Sequence, residues 1–203
     1  STGVIGEQLN YKKINAVVPK LIDKSKKKCC SWKSFCKSIM TTDTKPKFSS
    51  RKIMFGKETA FISGVAKGSG MIHPNMATML AFMTTDADVE RDFLRQVLSE
   101  AVDVSFNQID VDNDTSTNDS VLLLANGAAG NEPIDRDHPD APAFIQALNH
   151  VSRCLAKEIA RDGEGATRLI EVVVESAGSD QDARNAARSV ASSMLVKAAV
   201  HGL

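Results

Sequence analysis

Three stretches of the chain hold too many residues capable of chemistry to read as plain scaffold. The first runs from Gly64 to Thr78 and contains Lys67, Gly68, Ser69, Gly70, His73 and Thr78. Its glycines suggest a phosphate cradle, but a Walker loop places Lys-Ser/Thr after the last glycine, and here Lys67 precedes Gly68. Gly68-x-Gly70 also has His73 where a third glycine would stand, so the glycines are better read as permitting a tight turn or close approach to a ligand. The second stretch, Asp110–Asp119, alternates aspartates like the start of a calcium loop. Thr115 occupies the place of the obligatory glycine and Val121 that of the bidentate glutamate, which excludes an EF-hand. Its hydroxyls and amides suit turns that bond back to nearby backbone. The third, Arg161–Thr167, sets Glu164 between Gly163 and Gly165 on a tight turn, with Gly163 expected to stop the preceding helix.

Composition narrows the remaining classes. A hydrophobic fraction of 42% and a charged fraction of 25% over 203 residues are those of an ordinary globular protein with a real core. No apolar run has bilayer length and Ser1–Gly6 does not resemble a secretion signal, so a soluble, intracellular protein is expected. The net charge of zero hides a basic first segment, with 14 Lys/Arg against 4 Asp/Glu in residues 1–60. Lysines near phosphates gain from counterion release. Here they alternate with Val17, Val18, Leu21 and Ile22 at helical spacing, so a solvated helix face is favoured and no nucleic-acid partner is expected. Cys29, Cys30, Cys36 and Cys154 form no C-x-x-C pair, and reduced structural thiols with no metal are expected.

These stretches need elements to hold them. Residues 11–28 carry Ile14, Val17, Val18, Leu21 and Ile22 at amphipathic spacing, with Pro19 expected to kink or restart the helix. A short helix should hold Trp32, Phe35 and Ile39. Arg51–Phe55 and Ala60–Val65 read as strands of a hairpin turning at Phe55–Glu58. Met76–Met83 is nearly all apolar, as in a strand buried on both faces. Val89, Phe93, Val97, Ala101 and Val104 mark a helix with Asp88 as N-cap. Val121–Ala125 reads as a strand, residues 141–160 as a helix, Thr167–Glu175 as a strand and Ala183–Val200 as one last helix. This interleaving predicts a layered α/β fold of mixed sheet and helices.

Taken together, the stretches resemble one family over nearly the whole chain: the ornithine acetyltransferases, or bifunctional glutamate N-acetyltransferases. The resemblance is carried by Ser1–Gly6, Ile39–Lys47, Ala66–Ile72, Asn75–Leu80, Asp112–Asp119 and Asp162–Thr167. It implies the layered fold shared with the aminopeptidase DmpA, and self-cleavage between Ala77 and Thr78. Residues 1–77 would then be the end of an alpha chain and 78–203 the start of a beta chain. Family members are longer at both ends, and further substrate-contacting residues are expected beyond Leu203.

The implied reaction is ping-pong acetyl transfer from N2-acetylornithine to glutamate through an acetyl-threonine at Thr78, in arginine biosynthesis. Acetyl-CoA as a second donor stays open. The freed α-amino group of Thr78, with an ordinary pKa of about 7.7–8.0, can serve as base for the hydroxyl of the same residue. The resemblance also places Thr2 and Gly3 at the oxyanion hole, and Thr41, Lys67, Thr78 and Glu164 at the substrate, with no cofactor. A cation at Lys67 and an anion at Glu164 suit the carboxylate and amino groups of amino-acid substrates. His73, beside a proline, reads as structural. The implied assembly is a heterotetramer of two alpha and two beta chains, in the cytoplasm or, in a eukaryote, an organelle matrix. An aminopeptidase using the same N-terminal nucleophile and a non-catalytic relative are the competing readings.

Overall fold

A computed structural model describes residues 6–26, 31–73, 79–116 and 118–202. The centre is a four-stranded sheet in the order β1-β2-β3-β4, formed by β1 (Lys47–Phe55), β2 (Glu58–Lys67), β3 (Leu80–Thr85) and β4 (Ser120–Ala125). β1 and β2 form the expected hairpin, with β1 longer at its start and β2 longer at both ends than the apolar pattern alone suggests, and Phe55 paired to Glu58 across Gly56-Lys57. β2 and β3 are antiparallel, whereas β3 and β4 are parallel. A parallel pair requires a crossover. Here it contains α3 (Arg91–Asp103) and a 3-10 turn at Phe106–Gln108.

One face of the sheet makes the core. Ile53, Phe55, Ala60, Ile62, Ala66, Ala81 and Met83 are buried there. They belong to one cluster with Phe144, Leu148, Val151, Leu155 and Ile159 of α4 (Ala141–Arg161), the long helix that the 3.6-residue repeat predicts. Each such side chain contributes about 1.5–3 kcal/mol when fully buried. The opposite face receives α2 (Trp32–Ile39). Trp32 stacks on Phe48 with ring centroids 4.1 Å apart, and Phe35 meets Phe82 edge-on at 5.4 Å. Such pairs add about 0.5–1.5 kcal/mol to their burial. Met54, Phe61, Leu122 and Leu124 remain exposed on the strands.

Several sequence expectations need correction. α1 (Tyr11–Lys26) continues through Pro19 as one helix, and none of its residues is buried, so its apolar stripe has no cover among the described residues. β3 begins at Leu80, and residues 74–78 lie outside the described residues. Only alternate β3 residues (Ala81, Met83, Thr85) are fully buried, and the other face is covered in part, with Phe82 against Phe35. Asp88 does not cap α3. Glu90 does, its carboxylate accepting the N–H groups of Asp92 and Phe93. Asp88 is held instead by its backbone to the Asn131 side chain.

Thr167–Glu175 is not a strand, because a strand needs a hydrogen-bonded neighbour and none pairs with this segment among the described residues. The expected last helix divides into α5 (Asp180–Ala191) and α6 (Met194–His201). The cause is Ser192-Ser193. The Ser192 hydroxyl donates to the Arg188 carbonyl, and Ser193 turns to cap α6 by accepting the Val196 N–H. No described helix is long and apolar enough to cross a membrane.

Candidate active site

The stretches singled out in the sequence meet at one end of the sheet, where β2 ends and β3 and β4 begin. The meeting point is a buried ion cluster. The Lys47 ammonium donates to Asp43 Oδ1 and to Asp162 Oδ2, both at 2.6 Å, and all three side chains are at most 6% exposed. Asp43 also accepts the backbone N–H of Gly68 at 2.7 Å and of Thr41 at 3.1 Å. Asp162 accepts the Thr44 N–H at 3.0 Å and the Thr44 hydroxyl. One cation thereby joins the Thr41–Lys47 loop, the Gly68 turn and the end of α4. Burial pushes both carboxyl groups up. For Asp43 the Gly68 N–H and the Lys47 ammonium outweigh that, and for Asp162 the Lys47 ammonium and the Thr44 hydroxyl do, so both lie below the usual carboxylate range. Cys36 packs behind the cluster, its thiol 3.6 Å from the Lys47 carbonyl, and burial pushes that thiol up.

The glycine turn and the Glu164 turn are tied directly. The Glu164 N–H donates to the Ser69 carbonyl at 2.7 Å, and the Ser69 and Thr42 hydroxyls are 2.7 Å apart. A Cβ on Gly70 would stand 2.6–2.9 Å from the Glu164 carboxylate. The carboxylate therefore lies directly over Gly70, in space that only glycine leaves open. Gly163 follows the end of α4 as expected, but without the left-handed backbone of a glycine stop. Its missing side chain makes room for Val111, whose Cγ1 would be 2.9 Å from a Cβ there.

The aspartate-rich stretch closes over the same end. Asp112 accepts the N–H groups of Met71 at 2.6 Å and Ile72 at 3.0 Å, which holds Met71 at a φ of 55° that non-glycine residues rarely adopt. His73 is half-buried and its Nδ1 lies 2.6 Å from Asp110, which also pairs with Lys197. This tie accords with a structural histidine. Asp119, the residue before β4, accepts the Met79 N–H at 2.9 Å. Its Oδ2 is buried and has no hydrogen-bond partner among the described residues.

Of the residues proposed from the sequence, Thr41, Lys67 and Glu164 are described. Thr41 is exposed, next to the ion cluster. Lys67 is only 2% exposed, and its charge is close enough to Asp119 to favour that carboxylate. Glu164 is exposed and borders a cavity of about 870 Å³ that extends towards α5 and α6. A second cavity, of about 470 Å³, is lined by Met79, Asp119, His73 and residues of α3. Thr2, Gly3, Ala77 and Thr78 lie outside the described residues, as do Cys29 and Cys30. The arrangement offers a buried cation, a poised carboxylate beside the residue that follows Thr78, and a second carboxylate on a glycine-lined surface.

Sequence reasoning did not find Lys47, Asp43, Asp162 or Asp119 as individual site-building groups. The one local signal was Lys47 at the entrance of an alternating strand, where a lysine on the inward face needs a buried partner.

The chain is similar to known proteins over its whole length. The model of the ArgJ family matches residues 1–203. The arginine biosynthesis bifunctional protein ArgJ of Bacillus subtilis is 52% identical over 100% of this chain and 49% of its own length. That of Thermotoga neapolitana is 48% identical over 100% of this chain and 50% of its own. The chain thus spans about half the length of these curated relatives. Among solved structures, the arginine biosynthesis bifunctional protein ArgJ of Bacillus halodurans superposes with a TM-score of 0.59 at 49% identity. That match covers 60% of this chain and 57% of the other.

Proposed function

The chain belongs to the ArgJ family, and we propose that it contributes acetyl transfer from N2-acetylornithine to glutamate, with Thr78 as the group that carries the acetyl. In this reading the Ala77–Thr78 bond breaks first, freeing the α-amino group of Thr78. A threonine hydroxyl is a weak nucleophile until a base takes its proton, and a neutral terminal amine on the same residue is such a base. The hydroxyl oxygen attacks the acetyl carbon, ornithine leaves with its amine protonated, and glutamate then takes the acetyl in the reverse sense. Thr2 and Gly3 are the proposed donors to the oxyanion formed in each half. Thr41, Lys67 and Glu164 are the proposed substrate contacts, and two cleaved pairs the proposed assembly.

The observation that carries the reading is the convergence on one sheet end of the residue that follows Thr78, the buried Lys67, and Glu164 poised over Gly70. A carboxylate over bare backbone suits an amino group, and a buried cation suits a carboxylate. The assay is acetyl transfer from N2-acetylornithine to glutamate, run beside acetyl-CoA as donor and a peptide amide as hydrolytic substrate. Ornithine should be released once per site without glutamate and continuously with it. Peptide hydrolysis without any acetyl transfer would overturn the reading in favour of an aminopeptidase.

Gly70→Ala is expected to separate binding from folding. The atoms nearest to the new methyl group all belong to the flexible end of Glu164, so stability should change by less than about 1 kcal/mol. The displaced carboxylate should raise KM for N2-acetylornithine by roughly tenfold, the scale of one lost charged contact. Steady-state kinetics alongside thermal melting check both halves.

A further inference from the structure

Thr41, Lys67 and Glu164 lie on three separate loops, and each loop reaches the same few buried groups by a short route. Asp43 stands at the centre, its side chain closed to water. Its Oδ2 accepts the Thr41 N–H at 3.1 Å, while its Oδ1 accepts the Gly68 N–H at 2.7 Å and the Lys47 ammonium at 2.6 Å. The Gly68 nitrogen belongs to the peptide bond that leaves Lys67, so one carboxylate pins the backbones of Thr41 and Lys67 to each other. The Thr42 and Ser69 hydroxyls, 2.7 Å apart, join the same two loops a second time. Glu164 is tied in from two sides. Its N–H donates to the Ser69 carbonyl at 2.7 Å, and Asp162, two residues before it, takes the Lys47 ammonium at 2.6 Å.

Three donors meet on this one side chain, which explains why a carboxylate stands here. A carboxylate has two acceptor oxygens, whereas an asparagine of the same shape has one and could not serve both loops. A buried ion pair is by itself a poor source of stability, because the cost of taking its charges out of water offsets their attraction. What it supplies is geometry, since charge-assisted hydrogen bonds are short and directional. Here that geometry falls on the backbone N–H groups of the loops that carry Thr41 and Lys67.

We propose that Asp43 is a positioning residue for substrate recognition. It sets the spacing of Thr41 and Lys67 directly, and that of Glu164 through Lys47 and Asp162. The role rests on the reading of Thr41, Lys67 and Glu164 as substrate contacts. An amino acid carries its carboxylate and its amine at a limited separation, so a cation and a carboxylate that grip both must keep a matching one. A misplacement of about 1 Å is enough to lose a large part of such a grip. Asp43 makes no contact with substrate itself, because its side chain has no surface to offer.

The test is a double-mutant cycle on the full-length protein: wild type, Asp43→Asn, Lys67→Met and the double variant, each with KM and kcat for N2-acetylornithine and glutamate. Asp43→Asn should raise both KM values by roughly tenfold, the scale of one lost charged contact, while kcat changes by less than about threefold. In the Lys67→Met background the same substitution should raise KM by no more than about twofold, because a group that it positions is gone. A merely structural role lowers the folded fraction, which reduces apparent kcat, leaves KM alone and acts equally in both backgrounds. Either an unchanged KM or an equal factor in the two backgrounds overturns the proposal. Thr42→Val removes a hydroxyl contact between the same loops without touching a charge, and it decides the matter where Asp43→Asn does not fold. It should raise KM by about threefold, the scale of one neutral hydrogen bond, with an unchanged circular dichroism spectrum. A wild-type KM in that variant overturns the proposal. A wild type that transfers no acetyl group overturns the reading of the site and this role with it, whereas a transferring wild type beside Asp43→Asn of unchanged KM overturns this role alone.

Discussion

Lys47→Met is expected to destabilise the folded chain by about 3–5 kcal/mol at neutral pH, the cost of removing one partner from a buried ion pair. Methionine keeps most of the side-chain length, so the effect should come from charge and not from a cavity. Without the ammonium, the Asp43 and Asp162 carboxylates lose the cation that each touches at 2.6 Å and face one another in a site nearly closed to water. For a domain of this size the melting temperature should fall by roughly 10 °C. The deficit should also depend on pH in a definite sense. Both carboxyl groups lie below their unfolded value when Lys47 is present. Their contribution is therefore full above about pH 4 and is lost as pH falls through the depressed folded values. Asp119 has the opposite sign, because its raised carboxyl takes up a proton in the folded state first, as pH falls through about 6. Wild type and Lys47→Met should thus differ most near neutrality and converge in acid. Melting curves at neutral pH and below pH 4 measure the gap, and a gap independent of pH would show that the cluster is held by packing and not by charge.

How much of this was legible in the residues depended on whether a feature was periodic or not. The hairpin and α4 were readable because their buried residues repeat at two or at about 3.6 positions, and β4 because it is a short apolar run. Thr167–Glu175 alternates cleanly, yet alternation reports a face and not a neighbour. β4 has β3 beside it and residues 167–175 have no strand. In Ala183–Val200 the apolar repeat spanned the break, which two serines made by taking over local hydrogen bonds. The site divides in the same way. Glu164 and Lys67 stood out by their glycine surroundings and by resemblance, but the ion cluster did not. Asp43, Lys47 and Asp162 are residue types usually found in water, and two of them are more than a hundred positions apart in sequence. Only the folded chain shows that the three charges form one buried joint holding the other blocks in register. Asp119 was hidden for a similar reason: in a run of aspartates and hydroxyls nothing local marks the carboxylate whose oxygen becomes buried on folding.

Thr78→Ala is expected to abolish both scission and acetyl transfer, the largest loss that any single substitution in the chain should cause. Two reactions are proposed to use one oxygen. Removing it leaves neither an attacking group for the Ala77 carbonyl nor an acceptor for the acetyl. The purified variant should run as one intact chain, where wild type separates into residues 1–77 and 78–203. Transfer activity should fall by at least about a thousandfold, as when a nucleophile is removed from a concerted set. Thr78→Ser tests the same point from the other side. It keeps the hydroxyl and should still split, more slowly, because serine loses the methyl group that restricts rotation about the side-chain bond. The two reactions should also respond in sequence. A chain that cannot split has no terminal amine at residue 78, so transfer should be lost to the extent that scission is lost. Fragments of 1–77 and 78–203 appearing from Thr78→Ala at the wild-type rate would remove Thr78 from the mechanism. The gathering of Lys67 and Glu164 at the sheet end that Met79 borders would then need another nucleophile. Thr78→Ser splitting like wild type while Thr78→Ala stays whole would place both reactions on the Thr78 hydroxyl.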